Sequence, residues 1–340
     1  MKTSTLRTWA WPIAVVLWLG LVWPASAAAE LLYASLTDGT VASYDVTSGV
    51  PATIQASRSS YATGFTTPTG LAFDASGNLY VADYGTGANG TTVTKIAPGG
   101  GTGAVWGTGL SGPRGVAFDA SGNLLVVNAG NSTISRIAST GGTASLWATG
   151  PGSANTMAAL ALDAQGRVYA TVKSSNGVYR VSGAGGALTS WATGLSGPNG
   201  LAFDASGVLY VSSAGNGSAG NGSLSTVGVN GGAASSWVTG LNAPYGLAFD
   251  SSGSLYVANA NGSTISKFSS NGTLLFSFST GTASPRFLAF DEVQPVPEPS
   301  AALSAGIAGV TALAGAVRRR RNQRLRARVP APVDGSGVGG

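Results

Sequence analysis

One phrase, Pro-x-Gly-Leu-Ala-Phe-Asp-Ala-Ser-Gly-x-Leu-Tyr-Val, returns along this chain with little change at Pro68 to Val81, Pro113 to Val126, Pro198 to Val211 and Pro244 to Val257. A worn copy runs from Leu160 through Asp163 and Gly166 to Tyr169, and a shortened one, Pro285 to Asp291, comes last. A second phrase, aromatic-x-Thr-Gly, keeps step with the first. Its aromatics, Tyr61, Trp106, Trp147, Trp191, Trp237 and Phe278, are separated by 45, 41, 44, 46 and 41 residues. A period of this length belongs to architectures in which each unit buries its apolar face against the next.

Each unit reads as four short strands. Gly-Leu-Ala-Phe-Asp is the first, and Ala-Ser-Gly the turn, with Gly supplying the positive φ that such turns need. Leu-Tyr-Val is the second. A β-branched segment such as Ser132 to Ile137 or Ser263 to Phe268 is the third, and the aromatic-bearing segment the fourth. Four strands per repeat describe a propeller blade. The chain ends complement each other: Phe287 to Asp291 is a first strand with nothing after it, while Leu31–Ala34, Val41–Tyr44 and the segment to Tyr61 lack a first strand. The expected fold is an all-β, six-bladed propeller over residues 30–292, closed by both ends in one blade, which leaves no free strand edge. Trp106, Trp147, Trp191 and Trp237 are expected to pack between blades.

Composition narrows the chemistry. Neither Cys nor His occurs in the 340 residues, which removes disulfides, thiolate metal sites and the commonest general base. Of the 18 Lys and Arg, seven Arg lie between Arg318 and Arg328, and Lys2 and Arg7 open the chain. The body between them is slightly acidic. A nucleic-acid binder carries its positive charge on the folded domain, so nucleic acid is not an expected partner.

The two ends read as addresses. Lys2 and Arg7, an apolar run from Trp9 to Trp23 and the Ala-x-Ala exit at Ala25 to Ala29 describe a secretory signal peptide over residues 1–29, for signal peptidase. At the other end Pro297-Glu298-Pro299 precedes an uncharged stretch, Ala301 to Val317, and then Arg318, Arg319, Arg320 and Arg321. The stretch is just long enough to span a bilayer, and the Arg cluster would stay cytoplasmic. Residues 293–321 resemble the PEP-CTERM sorting signal. That resemblance implies an exosortase, transient anchoring in the inner membrane by a transmembrane helix, and delivery to the cell surface or extracellular matrix. Residues 322–340 read as a disordered basic, Gly/Pro-containing tail.

The repeat itself resembles NHL repeats and the SMP-30/gluconolactonase and virginiamycin-lyase-like propellers. In propellers the link from a fourth strand to the next first strand rims the central channel. Here that link is Pro-x-Gly, and its x position varies while its neighbours repeat: Thr69, Arg114, Ala158, Asn199, Tyr245 and Arg286. These are the candidate ligand residues, joined by Asp83, Asn128 and Asn259, which end second strands. The gluconolactonase resemblance implies a divalent metal held by an Asn and two carboxylates at such positions. Asn199 matches the Asn, but Tyr245 follows where the family uses Asp, and no x position is acidic. Hard cations favour several oxygen ligands, usually including carboxylates, so no metal or other cofactor is expected. The catalytic His of the virginiamycin lyases has no counterpart either. The repeated Asp residues recur beside the Ala-Ser-Gly turns and are expected to accept turn amides.

These readings point to a non-catalytic binding or scaffold protein. Its expected partner is an exopolysaccharide or envelope protein, and Arg114 and Arg286 suit an anionic group such as a uronic acid. The alternative is a metal-dependent lactonase or a lyase.

Overall fold

The computed structural model describes residues 30–154, 156–181 and 185–291. The signal segment, the sorting motif with Pro297, Glu298, Pro299 and Arg318 to Arg321, and the tail lie outside them. Among the described residues no helix is long and apolar enough to cross a membrane.

The fold is all-β and propeller-like. The first strands are Pro68–Phe73, Pro113–Phe118, Met157–Leu162, Pro198–Phe203, Pro244–Phe249 and Pro285–Phe290. All but the last lead by a tight turn into an antiparallel second strand, and a third and fourth follow, as in Pro68–Phe73, Leu79–Asp83, Thr92–Ile96 and Ala104–Thr108. The first strands also touch one another in cyclic order, with Pro285–Phe290 contacting both Pro244–Phe249 and Pro68–Phe73. Pro285–Phe290 pairs with Leu31–Leu36, bringing Leu32 opposite Phe290 and Ala34 opposite Leu288, so strands from both ends of the described chain share one sheet.

The aromatics occupy the seams, as the repeat suggested. Tyr80, Trp106 and the following unit's Phe118 form edge-to-face pairs with centroids 4.7 and 4.9 Å apart. Tyr169 with Trp191 and Phe203, and Tyr210 with Trp237 and Phe249, repeat the arrangement. Such pairs contribute about 0.5–1.5 kcal/mol each beyond their burial.

The turn carboxylates behave as their position predicts. Asp74 Oδ1 accepts the amides of Ser76 and Asn78, both at 2.9 Å, and Asp119, Asp163, Asp204 and Asp250 repeat the pattern. Their polar capacity goes to building the turns.

Two features were not read from the repeat. A short helix, Pro51–Ala56, interrupts the segment ahead of the fourth strand Ser59–Ala62. Pro51 sits at its start, where a missing N–H costs nothing, and Ile54 is fully buried. In addition, five neighbouring sheets are stitched at the outer edge by four short parallel bridges, such as Gly107 and Thr108 with Gly142 and Thr143. Each uses a Gly-Gly hairpin. At Gly141 (φ 82°) an added Cβ would lie 2.8 Å from both the carbonyl oxygen and the indole nitrogen of Trp106.

Candidate functional site

The Pro-x-Gly link forms a β-bulge. Pro68 faces Asp83 and Leu71 faces Val81, so Thr69 and Gly70 together oppose Ala82 alone. The same two-against-one register recurs at the other five first strands. A bulge bends its strand and re-aims a side chain. Five of the six x residues thereby come to line one cavity.

The bulge also frees backbone groups, and hydroxyls opposite it take them up. Ser212 Oγ accepts the amide of Gly200 at 2.8 Å and donates to the carbonyl of Tyr245. Thr171 Oγ1 accepts from the amide of Ala159 and donates to Asn199 O at 2.8 Å. Ser35 Oγ accepts the amide of Phe287 at 3.0 Å. Each of these bonds ties one unit or its neighbour to the bulge, so the x residues are set on a braced ring.

Five of the six x residues meet at one cavity of about 100 Å³, where Thr69, Arg114, Ala158, Tyr245 and Arg286 are joined by Thr67, Tyr84 and Phe287. Thr69 spends its hydroxyl on Ala82 O and Pro113 O. Asn199 does not line the cavity: it is fully buried, with Nδ2 donating to Pro244 O at 3.3 Å and Oδ1 lacking a partner. Phe287 stands where the other units place Gly or Ala. It also lines the hollow deeper in the channel, among Gly70, Gly115, Gly200 and Gly246, and so floors the mouth.

The three residues at second-strand ends make local hydrogen bonds. Asp83 accepts the amides of Thr66, Thr67 and Gly85. Asn128 accepts the amide of Ser111 and donates to Thr133 and Ser135. Asn259 donates to Ser266 at 2.9 Å. Asp83 and Asn128 brace loops, Asn259 ties its strand to Thr264–Phe268 with its Oδ1 left unpartnered, and none of the three lines the cavity.

Two residues that follow second-strand ends also meet the x residues, which the repeat alone does not indicate. Tyr84 follows Asp83, and the Arg114 guanidinium lies 4.5 Å from its ring centroid. Lys173 follows Val172; its ammonium lies 5.2 Å from the Tyr245 centroid, and Arg286 lies 4.7 Å from the same ring. Burial, then the charges of Arg114 and Arg286, pull the Lys173 amine down to about 8. The Arg286 Nε is buried without a hydrogen-bond partner. The signal existed in the sequence: this position also varies between units, from Tyr84 to Ala129, Lys173, Ala214 and Ala260.

The mouth therefore concentrates three cations and two phenol rings. Among the described residues no group of three or more Asp, Glu, His or Cys is arranged to hold a metal. Asn199 does offer an orphaned oxygen, yet it lies off the cavity, and the cavity's lining contains two Arg and no carboxylate. The donor set does not fit the metal that the gluconolactonase resemblance implies. Larger hollows, about 430 and 310 Å³, open between units at the opposite ends of the first strands. Their walls are the turn Asp residues, whose oxygens are already engaged.

A family profile described as SMP-30/Gluconolactonase/LRE-like region matches residues 90–293. No curated protein sequence matches the chain. Among solved structures, a chain of a nidogen–laminin complex superposes with a TM-score of 0.66 at 17% identity, covering 78% of this chain and 99% of that one. A gluconolactonase from Xanthomonas campestris gives 0.54 at 22% identity, covering 65% and 78%. A catalytically inactive virginiamycin B lyase from Staphylococcus aureus, solved with quinupristin, gives 0.55 at 13%, covering 78% and 94%. At these identities the structural likenesses show the fold alone.

Proposed function

The chain belongs to the SMP-30/gluconolactonase/LRE-like family, and from that premise we propose that its channel mouth binds a small carboxylate-bearing ligand. The observation that carries this reading is that Arg114 and Arg286 line one cavity, with Lys173 against the Tyr245 ring of the same wall, and that none of the three has a carboxylate ion pair among the described residues. Guanidinium forks match carboxylates in two-point geometry. The rings of Tyr84 and Tyr245 hold the two Arg without neutralising them. A uronic acid unit of an exopolysaccharide, or an acidic group of an envelope protein, has the required chemistry. On this account the protein binds or scaffolds.

A second reading is catalytic, and family membership favours it. The family's name and two of the structures sharing the fold point to lactone hydrolysis or lyase chemistry. Such an activity would need donors other than an Asn and two carboxylates. Assaying the purified protein on gluconolactone, with and without Ca²⁺ or Zn²⁺, separates the readings. Metal-stimulated turnover would favour the enzyme; carboxylate binding without turnover would favour the binder.

The finer architecture and the address belong to the same proposal. Cyclic contact of the first strands and the shared terminal sheet support a six-bladed ring. The sequences of residues 1–29 and 293–321 support export, exosortase processing and display at the cell surface or in the matrix. Mass spectrometry of the protein recovered from its native cell surface tests this: intact ends would contradict it.

A further inference from the structure

A single carboxylate neutralises one cation, and the mouth holds three. The ion pairs among the described residues all lie elsewhere: Arg58 with Asp38, Lys95 with Asp74, Arg167 with Asp163, and Lys267 with Asp250. Asp83, beside Tyr84, already accepts three backbone amides. The Lys173 backbone is held where it opens the short turn Lys173–Ser175, its amide donating to Thr156 O at 2.7 Å. Its ammonium and the Arg286 guanidinium share the Tyr245 ring, while Arg114 rests on Tyr84. Two guanidinium groups lining a cavity of about 100 Å³, with the Lys173 ammonium against the Tyr245 ring that Arg286 shares, form an electrostatic mould for more charge than one carboxylate carries.

We infer that the mouth selects a compact anion bearing two or more carboxylates, with Arg114 and Arg286 each taking a carboxylate and Lys173 completing the charge balance. This rests on the reading of the mouth as a carboxylate site and narrows its ligand class. Planar forks paired with planar groups favour carboxylates, and the Phe287 floor limits the ligand's length.

Burial and the neighbouring positive charges both disfavour the Lys173 ammonium. The charged groups acting on that amine are Arg114 and Arg286; Tyr245 lies against it, and no acidic group contributes to its shift. With the amine near 8, part of the population is neutral at slightly alkaline pH. A second carboxylate favours the ammonium again, so binding at that pH takes up a proton.

Calorimetry of the full chain at pH 8 with acetate, malonate and succinate, each in two non-phosphate buffers of different ionisation heat, tests this. The dicarboxylates should bind at least about tenfold more tightly than acetate, with proton uptake. Lys173→Met should bring the ratio within about threefold and abolish the uptake, while still binding acetate. Lys173→Gln serves if the Met variant does not fold. Equal affinity for acetate and dicarboxylates, or an undiminished preference in the Lys173 variants, overturns the inference and leaves the carboxylate site standing. No binding of any of the three overturns both.

Discussion

The guanidinium of Arg286 lies 4.7 Å from the centroid of the Tyr245 ring, with its Nε buried and unpartnered. Arg114 has a matching relationship to Tyr84 at 4.5 Å. Held this way, each Arg keeps its charge available for a ligand. Hydrogen bonds to charged groups contribute about 1.5–3 kcal/mol. Arg114→Ala and Arg286→Ala should therefore each weaken carboxylate binding by about tenfold or more. Tyr245→Phe keeps the ring face and should cost little, whereas Tyr245→Ala should weaken binding. Calorimetric titration with galacturonate checks the series.

The ring's inner wall makes a sharper prediction about stability. A Cβ on Gly200 would stand 2.1 Å from Tyr245 O, and one on Gly70 2.1 Å from Arg114 O. Both obstacles are neighbouring backbone, which cannot swing aside. Gly200→Ala and Gly70→Ala should each destabilise the fold by about 1–3 kcal/mol or more. Gly228→Ala meets nothing within 4 Å and should be neutral or slightly stabilising. Thermal melts of the three variants decide it.

Closure of the sheet by both chain ends can be tested by cutting it. Removing residues 285–291 takes away the partner of Leu31–Leu36, the hydrogen bond that the Phe287 amide donates to Ser35 Oγ, and the mouth's Arg286 and Phe287. The expected outcome is a large drop in melting temperature and loss of a single cooperative transition. A truncated protein that melts like the full chain would speak against a closed ring.

Acid should act through Asp250. Burial alone would raise its carboxyl, but hydrogen bonds from Lys267, Ser252 and Ser254 outweigh this and hold it below the usual value. Its partner Lys267 lies 2.7 Å away with both side chains largely buried. A carboxyl depressed in the folded state binds fewer protons there than in the unfolded chain. Its stabilisation is present above the ordinary Asp pKa and is lost as pH falls through the depressed one. Lys267→Met leaves a buried charge unpaired and should cost about 3–5 kcal/mol near neutral pH. Urea unfolding of the wild type and variant between neutral and acid pH should show the gap narrowing as Asp250 protonates.

The repeat made most of this fold legible, because a period of forty-odd residues with Asp-Ala-Ser-Gly turns and alternating apolar strands leaves few architectures open. The seam positions of Trp106, Trp191 and Trp237 followed from the same symmetry. What the repeat hid were departures from it. Among the described residues helix Pro51–Ala56 occurs in one unit only, and Phe287 stands in one unit where the others have Gly or Ala. At the site, varying x positions pointed to Arg114, Tyr245 and Arg286. Asn199 carried the family's metal-site pattern but is buried off the cavity. Tyr84 and Lys173 escaped notice because only a three-dimensional bulge brings the residue after one strand beside the residue opening another. Asp83, Asn128 and Asn259 end strands near the mouth, yet unpaired loop amides and hydroxyls claim them first.

The most direct measurement is a calorimetric competition between Ca²⁺ and galacturonate on the purified protein at low and moderate salt. The account predicts that the carboxylate binds, that its affinity falls as salt rises, and that the Arg114→Ala/Arg286→Ala double variant loses it. Saturable Ca²⁺ binding that survives in the double variant, with no heat from the carboxylate, would contradict it.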